Sequence, residues 1–371
     1  MTVTDIFPPG PKHAHSSSLV ECADGSLLVC WFYGSGERSA DDVVVQGARG
    51  VADGTEWSDV FLMADTPEFP DCNPVLFVDE QERVWLFWIT VLGNRWENSQ
   101  LKYRRAETSL GKGAPAWAWQ GLVQLKPGPQ FARTMKQRFE EIGLEQAMWA
   151  EYAKPYERLL LSAAEDPYKR QTGWMTRTHP ITLPSGRILV PVYSDGFNAS
   201  LMAISDDAGK SWRASLPIIG RGPIQPSVVR RRDGTLVAYC RDSGDAPGRV
   251  MVSESRDDGE SWSAARDSDI PNPGSSLEVM RLRDGRWLMV CNDTERGRHR
   301  LSALLSEDEG VSWGHQRLLE PRDGMGKGFG YPSVIQTRDG TLHVTYSFSS
   351  SGGKCIRHCA FNTEWLELPR E

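Results

Sequence analysis

No stretch of this chain approaches the ~18 consecutive apolar residues that a membrane span needs. Its start, Met1-Thr-Val-Thr-Asp-Ile-Phe-Pro-Pro-Gly10, lacks the basic and apolar segments of a secretory leader. These two absences make a cytoplasmic protein the expectation. A Lys/Arg-rich stripe is also missing. The longest basic run, Arg230-Arg231-Arg232, stands beside an Asp-Gly turn, and the net charge is −7. A nucleic-acid partner is therefore not expected, and the run reads as a solvated hairpin end. The cysteines number seven and are scattered, which reads as reduced thiols rather than a disulfide framework. Cys355 and Cys359 lie close together, but nothing nearby completes a zinc site. Neither a metal nor another cofactor is expected.

Glycine and tryptophan are plentiful, at 35 and 14 of 371 residues. Many glycines mean many turns, and many tryptophans in a chain without membrane spans point to packed β structure or a carbohydrate-facing surface. Hydrophobic residues at 39 % and charged residues at 25 % are enough for a folded core. Length alone would allow two or three domains, but closed all-β architectures run longer as one unit.

Internal repeats decide the architecture. Ser205-Asp-Asp-Ala-Gly-Lys-Ser-Trp212, Ser255-Arg-Asp-Asp-Gly-Glu-Ser-Trp262 and Ser306-Glu-Asp-Glu-Gly-Val-Ser-Trp313 share the pattern S-x-D-x-G-x-x-W, their serines 50 and 51 residues apart. Looser copies end at Trp57 and at Trp117 or Trp119. Ser and Asp side chains bond backbone amides in tight turns, Gly supplies a positive φ, and Trp anchors the turn between sheets. These octets read as structural. In phase with them, apolar strands meet at Asp24-Gly25, Ser185-Gly186, Asp233-Gly234, Asp284-Gly285 and Asp339-Gly340, with a variant at Asp79–Arg83. Six such hairpins describe a six-bladed β-propeller forming a single domain over 1–371. One interval is about twice the others. Its excess, about 128–170, is rich in helix formers and predicts two short helices, Arg133–Gly143 and Leu144–Tyr156, between blades 2 and 3. They are a lid or a brace. The last repeat lacks a final strand, and Val3–Phe7 is expected to supply it and close the ring.

In a propeller, first-strand starts and second-strand ends collect at one face. The starts give His13, His15, Asn73, Arg177, His179, Gln225, Glu278 and Tyr331. The ends give Asp41, Asp42, Arg95, Trp96, Asp195, Arg241, Asp242, Asn292 and Arg298. Carboxylates, arginines, histidines and a tyrosine together suit acid–base chemistry on an anionic sugar. Structural roles compete for several: Asp42 as a turn cap, Trp96 as a blade cover, Glu278 as a hydrogen-bonding group in the channel. His179 reads as structural.

The octets resemble the Asp-boxes of sialidases, and the chain resembles BNR-repeat, sialidase-like proteins outside the helical stretch. Gly173-Trp-Met-Thr-Arg-Thr-His179, Tyr193-Ser-Asp-Gly-Phe197, Ile224-Gln-Pro-Ser227, Asn292-Asp-Thr-Glu295 and Tyr331-Pro-Ser-Val-Ile-Gln336 are similar to a bacterial sialidase or neuraminidase-like subgroup. The resemblance implies a retaining exo-glycosidase in which arginines hold the sugar carboxylate. A Glu-polarised Tyr is the nucleophile, and an Asp is the acid/base. Tyr331 matches the nucleophile, Arg241 the second arginine, and Arg298, with Arg296 as its alternative, the third. His15 stands where the first arginine is expected, and Gln225 where the polarising Glu is expected. Asp42 or Asp41 is the expected acid/base, and His15, Glu278 and Gln225 are further catalytic candidates. Arg177, Asn73, His13, Trp96 and Asn292 are candidates for substrate binding.

The leading expectation is a sialidase-type hydrolase releasing a terminal acidic sugar, sialic acid or a relative, from glycans. Two alternatives stay open. One is a lyase or hydrolase for a uronic-acid linkage, with His15 or Tyr331 as base. The other is a non-catalytic glycan-binding propeller. The expected partner is an acidic carbohydrate, with no nucleic acid and no membrane. The oligomeric state is open.

Overall fold

A computed structural model of the chain describes residues 1–143, 154–244, 246–320 and 326–368. Six antiparallel sheets form the six blades of a β-propeller, five of them meanders in chain order. The inner hairpins are His13–Glu21 with Leu27–Gly34, Asp71–Val78 with Val84–Thr90, Pro223–Arg230 with Leu236–Asp242, Glu278–Arg281 with Trp287–Cys291, and Gly328–Gln336 with Leu342–Ser350. Blade 3 differs. Its inner strand is broken into Met175–Thr176 and Ile181–Thr182, both paired to Ile188–Ser194. Pro180, which has no N–H to give to a ladder, lies in the gap.

The ring closes as the apolar pattern predicts. Thr2–Asp5 pairs with Gly353–Phe361 and is the outermost strand of blade 6. The core lies between blades rather than within one. Met202 and Ile204 of blade 3 pack with Val228, Leu236 and Trp262 of blade 4, and Leu288 and Val290 of blade 5 with Val344 and Tyr346 of blade 6.

Around the axis, side chains staple every seam between inner strands. The Ser18 hydroxyl accepts the Leu76 N–H at 2.9 Å, Ser227 that of Val279 at 2.9 Å, and Ser333 that of Leu19 at 3.1 Å. Thr176 donates to the Asn73 carbonyl at 3.0 Å and Thr178 to that of Pro226. Glu278 Oε2 accepts the Val334 N–H at 2.8 Å. Each hydroxyl or carboxylate satisfies a buried backbone group that curvature of the ring leaves without a ladder partner.

The octets form one turn three times. The Ser205, Ser255 and Ser306 hydroxyls accept the N–H of Gly209, Gly259 and Gly310, at 2.8, 3.0 and 2.8 Å. Two residues running are left-handed in each turn, as at Asp258 (φ 54°) and Gly259 (φ 85°). A Cβ on Gly310 would lie 2.1 Å from the Tyr239 hydroxyl, so the glycine also lets one blade approach the next. Trp57 forms the same indole-to-glycine bond in blade 1 as Trp262 in blade 4. Trp117 and Trp119 instead lie within the outer strand of blade 2 (Trp117–Leu122), with Trp119 55 % exposed.

The insertion contains α1 (Gln130–Ile142), α2 (Lys154–Glu165) and α3 (Pro167–Gln171). Helix α1 buries Phe131, Ala132, Met135 and Phe139, one stripe at helical spacing, and ends where Gly143 turns left-handed at φ 62°. Phe131 meets Trp174 and Phe197 of blade 3. The helix expected over 144–156 lies mostly on residues 144–153, outside the described ones, and α2 runs beyond it. Among the described residues no helix is long and apolar enough to cross a membrane.

Candidate active site

Four inner strands share one irregularity near their starts. The ladder slips after His15, Cys72, Ile224 and Gly330. The next residue is left-handed in each case: Ser16 (φ 59°), Asn73 (φ 50°), Gln225 (φ 53°) and Tyr331 (φ 56°). Proline follows three of the four. Such bulges turn a side chain out of the sheet's alternation, and non-glycine residues hold this conformation at a cost of about 1 kcal/mol or more. Here three of them, Asn73, Gln225 and Tyr331, reach a cavity at the axis of the ring.

A cavity of about 450 Å³ opens there, lined by His15, Glu37, Asn73, Trp96, Tyr156, Tyr193, Asp195, Gln225, Arg241, Arg298 and Tyr331 among others. The Tyr331 hydroxyl accepts from Arg241 Nη1 at 3.0 Å and Gln225 Nε2 at 3.3 Å. The Arg298 guanidinium lies 5.4 Å from the Tyr331 ring centre, and the His15 ring 4.0 Å from it. Burial opposes ionisation of this phenol. The Arg241 and Arg298 charges and the Gln225 amide outweigh it and draw the group below the ordinary tyrosine range. Tyr193 is the opposite case. Its hydroxyl accepts from Asn73 Nδ2 and Gln225 Nε2, both at 3.1 Å, but burial, Asp195 and Tyr331 hold it well above the ordinary range.

The carboxylates also differ. Burial raises Asp195 despite the nearby Arg241. Glu37 is lowered, chiefly by a hydrogen bond from His13. His13 Nε2 lies 3.0 Å from Glu37 Oε1, and Lys354 Nζ donates to His13 Nδ1 at 2.9 Å. The lysine thereby fixes the tautomer in which Nε2 carries the proton. Burial, then His13 and the arginines, hold His15 well below the ordinary histidine value, so it is neutral at pH 7.

Seven of the residues expected from the sequence line this cavity: His15, Asn73, Trp96, Gln225, Arg241, Arg298 and Tyr331. Six lie elsewhere. Asp41 and Asp42 are exposed outside it. Asp42 takes the Ser35 hydroxyl at 2.6 Å and N–H at 2.9 Å and pairs with Lys12 at 2.9 Å, bonds that pull it to about 2. A carboxyl ionised that firmly has no proton to donate near neutrality. His13 stands behind Glu37. Asn292 is buried and donates to the Arg300 and Phe329 carbonyls.

Arg177 is 1 % exposed, beneath the Tyr331 ring. Glu278 lies lower on the axis. Its Oε1 bonds His179 Nδ1 at 2.9 Å, while His179 Nε2 faces the Leu19 carbonyl at 2.8 Å. Both ring nitrogens meet acceptors, so His179 is an imidazolium paired to Glu278. Burial alone would lower it, and the carboxylate reverses that. This pair fills the axis below the pocket. It forms the floor of a separate cavity of about 480 Å³ on the other face.

Glu37 and Tyr193 were not among the expected site residues, and Asp195 had only a strand-end position. Glu37 stands in the same loop as Asp42, five residues earlier, in Gly34-Ser-Gly-Glu-Arg-Ser. Nothing in its spacing separates it from its exposed neighbours. Tyr156 reaches the cavity from the insertion, its hydroxyl accepting from Asn198 Nδ2 at 2.8 Å.

A six-bladed ring with Ser-Asp-Gly-Trp turns toward one face and an arginine–tyrosine pocket at the other defines the class of sialidase-like propellers. The chain belongs to the BNR-repeat, sialidase-like family: the model described as a BNR repeat-like domain matches residues 25–137 and 170–344, passing over most of the helical insertion. A sialidase of Bacteroides fragilis (strain YCH46) is 27 % identical over 184 residues, covering 46 % of this chain and 32 % of that protein. The match thus spans about a third of that relative's length. Among solved structures, the intramolecular trans-sialidase from Ruminococcus gnavus, in complex with oseltamivir carboxylate, superposes with a TM-score of 0.69 at 14 % identity over 99 % of both chains. A protein of unknown function from Dyadobacter fermentans DSM 18053 gives 0.68 at 16 % identity, over 96 % of this chain and 97 % of that one. At such identities the likeness is one of fold.

Proposed function

We propose that the protein is an exo-acting glycoside hydrolase of the sialidase type, releasing a terminal acidic sugar with retention. The observation that carries this reading is the Tyr331 hydroxyl, held at 3.0 Å by Arg241 within a cavity whose axis is filled below. A blind pocket admits a chain end and not a chain interior. Arg298 and Arg241 offer positive charge and forked donors for a sugar carboxylate. His15, neutral in place of the expected first arginine, contributes a single hydrogen bond at most, so the carboxylate is held by fewer charges than in the family pattern.

In the reaction, the Tyr331 oxygen, its proton already lost to water through the pocket mouth, attacks the anomeric carbon as the bond to the leaving oxygen breaks. That oxygen takes a proton from Asp195, the pocket carboxyl that burial keeps protonated to higher pH. Asp195 then accepts a proton from the water that releases the sugar from Tyr331. This moves the acid/base role from Asp42 and Asp41, which stand outside the cavity, to a residue that lines it.

The test is turnover of a fluorogenic sialoside, with a fluorinated sialoside as trap. The expected result is fluorophore release and a covalent label on Tyr331, located by peptide mass spectrometry. A Tyr331→Phe protein with full activity would overturn the reading. An unsaturated product would point instead to β-elimination, for which the neutral His15 beside Tyr331 is the base at hand.

A further inference from the structure

We propose that Arg177, sealed beneath the Tyr331 ring, is a positioning residue that stabilises Tyr331 as a phenolate, so that surrounding cations replace a proton-accepting partner. Its guanidinium carbon lies 5.0 Å from the ring centre. It is 1 % exposed, so no substrate reaches it. Among the described residues its hydrogen bonds go to main-chain carbonyls, Nη1 to Ser17 at 3.3 Å and Nη2 to Pro332 at 2.7 Å, and its Nε has no partner. A fully buried guanidinium without a bonded carboxylate is costly. The nearest carboxylate along the axis, Glu278, is itself engaged by His179. The charge of Arg177 is thus shared between Glu278 and the π face of Tyr331.

The other groups around the phenol come from four blades. Blade 1 presents neutral His15 and the Glu37 carboxylate, and blade 3 presents Tyr193 and Asp195 beside Arg177. Blade 4 brings Gln225 and Arg241, and blade 5 brings Arg298. Three guanidiniums therefore surround one ring: Arg177, Arg298 and Arg241. Of the two cavity carboxylates, Glu37 is bonded to His13, and Asp195 resists ionisation through burial. Gln225, where a carboxylate base is expected, presents Nε2 to the phenol. A phenolate fits these donors: the proton leaves to water through the pocket mouth, and the anion is neutralised in place. The reverse amide orientation would set Oε1 between the Tyr331 and Tyr193 hydroxyls and suit a neutral phenol, so ionisation itself must be measured.

The experiment is a tyrosinate absorbance titration of the full chain without substrate, read as the difference between the parent protein and Tyr331→Phe. The expected result is one phenol titrating below the ordinary value of about 10. Arg177→Met should move it up, and Arg177→Lys should keep part of the depression, since charge is retained without the fork. A difference band at or above the ordinary value in the parent protein overturns the proposal, whether or not Arg177→Met folds. So does an Arg177→Met protein of parental melting temperature with an unmoved band. The consequence for catalysis rests on Tyr331 being the nucleophile. The titration does not, because a depressed phenol in a protein inert to sialosides would remove the glycosidase reading alone.

Discussion

The two ends of each blade carry opposite kinds of sequence. At the turn end the same octet recurs in blades 3, 4 and 5, with the same serine, aspartate, glycine and tryptophan. At the pocket end the equivalent bulge position is Ser16, Asn73, Gln225 and Tyr331, a hydroxyl, two amides and a phenol in one backbone conformation. The turn does one job several times, tying a hairpin to the neighbouring blade. The bulge is one backbone device that brings Asn73, Gln225 and Tyr331 from three blades to a shared cavity. Identity across blades therefore marks structure, and variation within a constant geometry marks chemistry.

The sharpest test of that division is Tyr331→Phe. It removes one hydroxyl from the pocket end, and we expect turnover to fall at least about ten-thousandfold, ~5 kcal/mol in barrier height, with an unchanged melting temperature. A fall in both would mean that the pocket also carries the fold. The mirror-image variant is Trp262→Ala at the turn end. Trp262 is 1 % exposed among residues of blades 3 and 4. Its loss should cost about 3–5 kcal/mol in denaturant unfolding, while surviving folded protein keeps its ligand affinity. Trp212 and Trp313 are only partly buried, so their alanine variants should cost less. Arg241→Met comes next. It should weaken capture of an acidic substrate by about 2–4 kcal/mol, with Arg241→Lys between it and the parent, and leave the binding of a carboxylate-free analogue unaffected.

A smaller effect belongs to the seam that closes the ring. His343 and His358 are buried, with Nδ1 and Nε2 2.9 Å apart, and burial lowers them to about 4 and about 3. His358 packs under the blade 1 turn, where a Cβ on Gly54 would come within 2.1 Å of it. Both folded values lie below the ordinary histidine value of about 6.5. The unfolded chain therefore takes up protons that the folded one refuses, and stability falls as pH drops below about 6.5 toward the folded values. At pH 5 each ring accounts for about 2 kcal/mol at most. Urea midpoints at pH 7 and pH 5 should show the loss, and His358→Gln should flatten it. A flat profile in the parent protein would free the seam of any acid sensitivity.

The division also explains what could be read from the sequence. Repetition carries information without coordinates, so the octets, the hairpin turns, the blade count and closure by the N-terminal strand were all legible. So was Tyr331, because a bulge residue before Pro-Ser stands in a repeating frame. The loops between second and third strands have no frame. Asp41, Asp42 and Glu37 share one such loop, and only its folded path shows that Glu37 faces the cavity while Asp42 turns to Ser35 and Lys12. Arg177 and Glu278 occupy positions that face the axis, as the frame predicts, but the axis has depth. Depth depends on the break in the blade 3 strand and on which side chains staple the seams, neither of which leaves a periodic trace.

The mildest prediction sets Asp42 against the pocket carboxyls. Asp42 is bonded by the Ser35 hydroxyl and N–H and by Lys12, and those bonds keep it ionised at any working pH. It can accept these hydrogen bonds but has no proton to deliver to a leaving group. Asn at this position keeps the shape and one acceptor, and loses the charge on Lys12. The loop should therefore lose little stability, since solvent screens so exposed a contact, and kcat/KM should stay within about twofold of the parent. The alkaline limb of the pH–rate profile, which a general acid sets, should not move, because Asp42 stands outside the cavity that Asp195 lines. A large loss of kcat in Asp42→Asn, with KM unchanged, would bring the 35–43 loop inward during turnover and return the acid/base role to it.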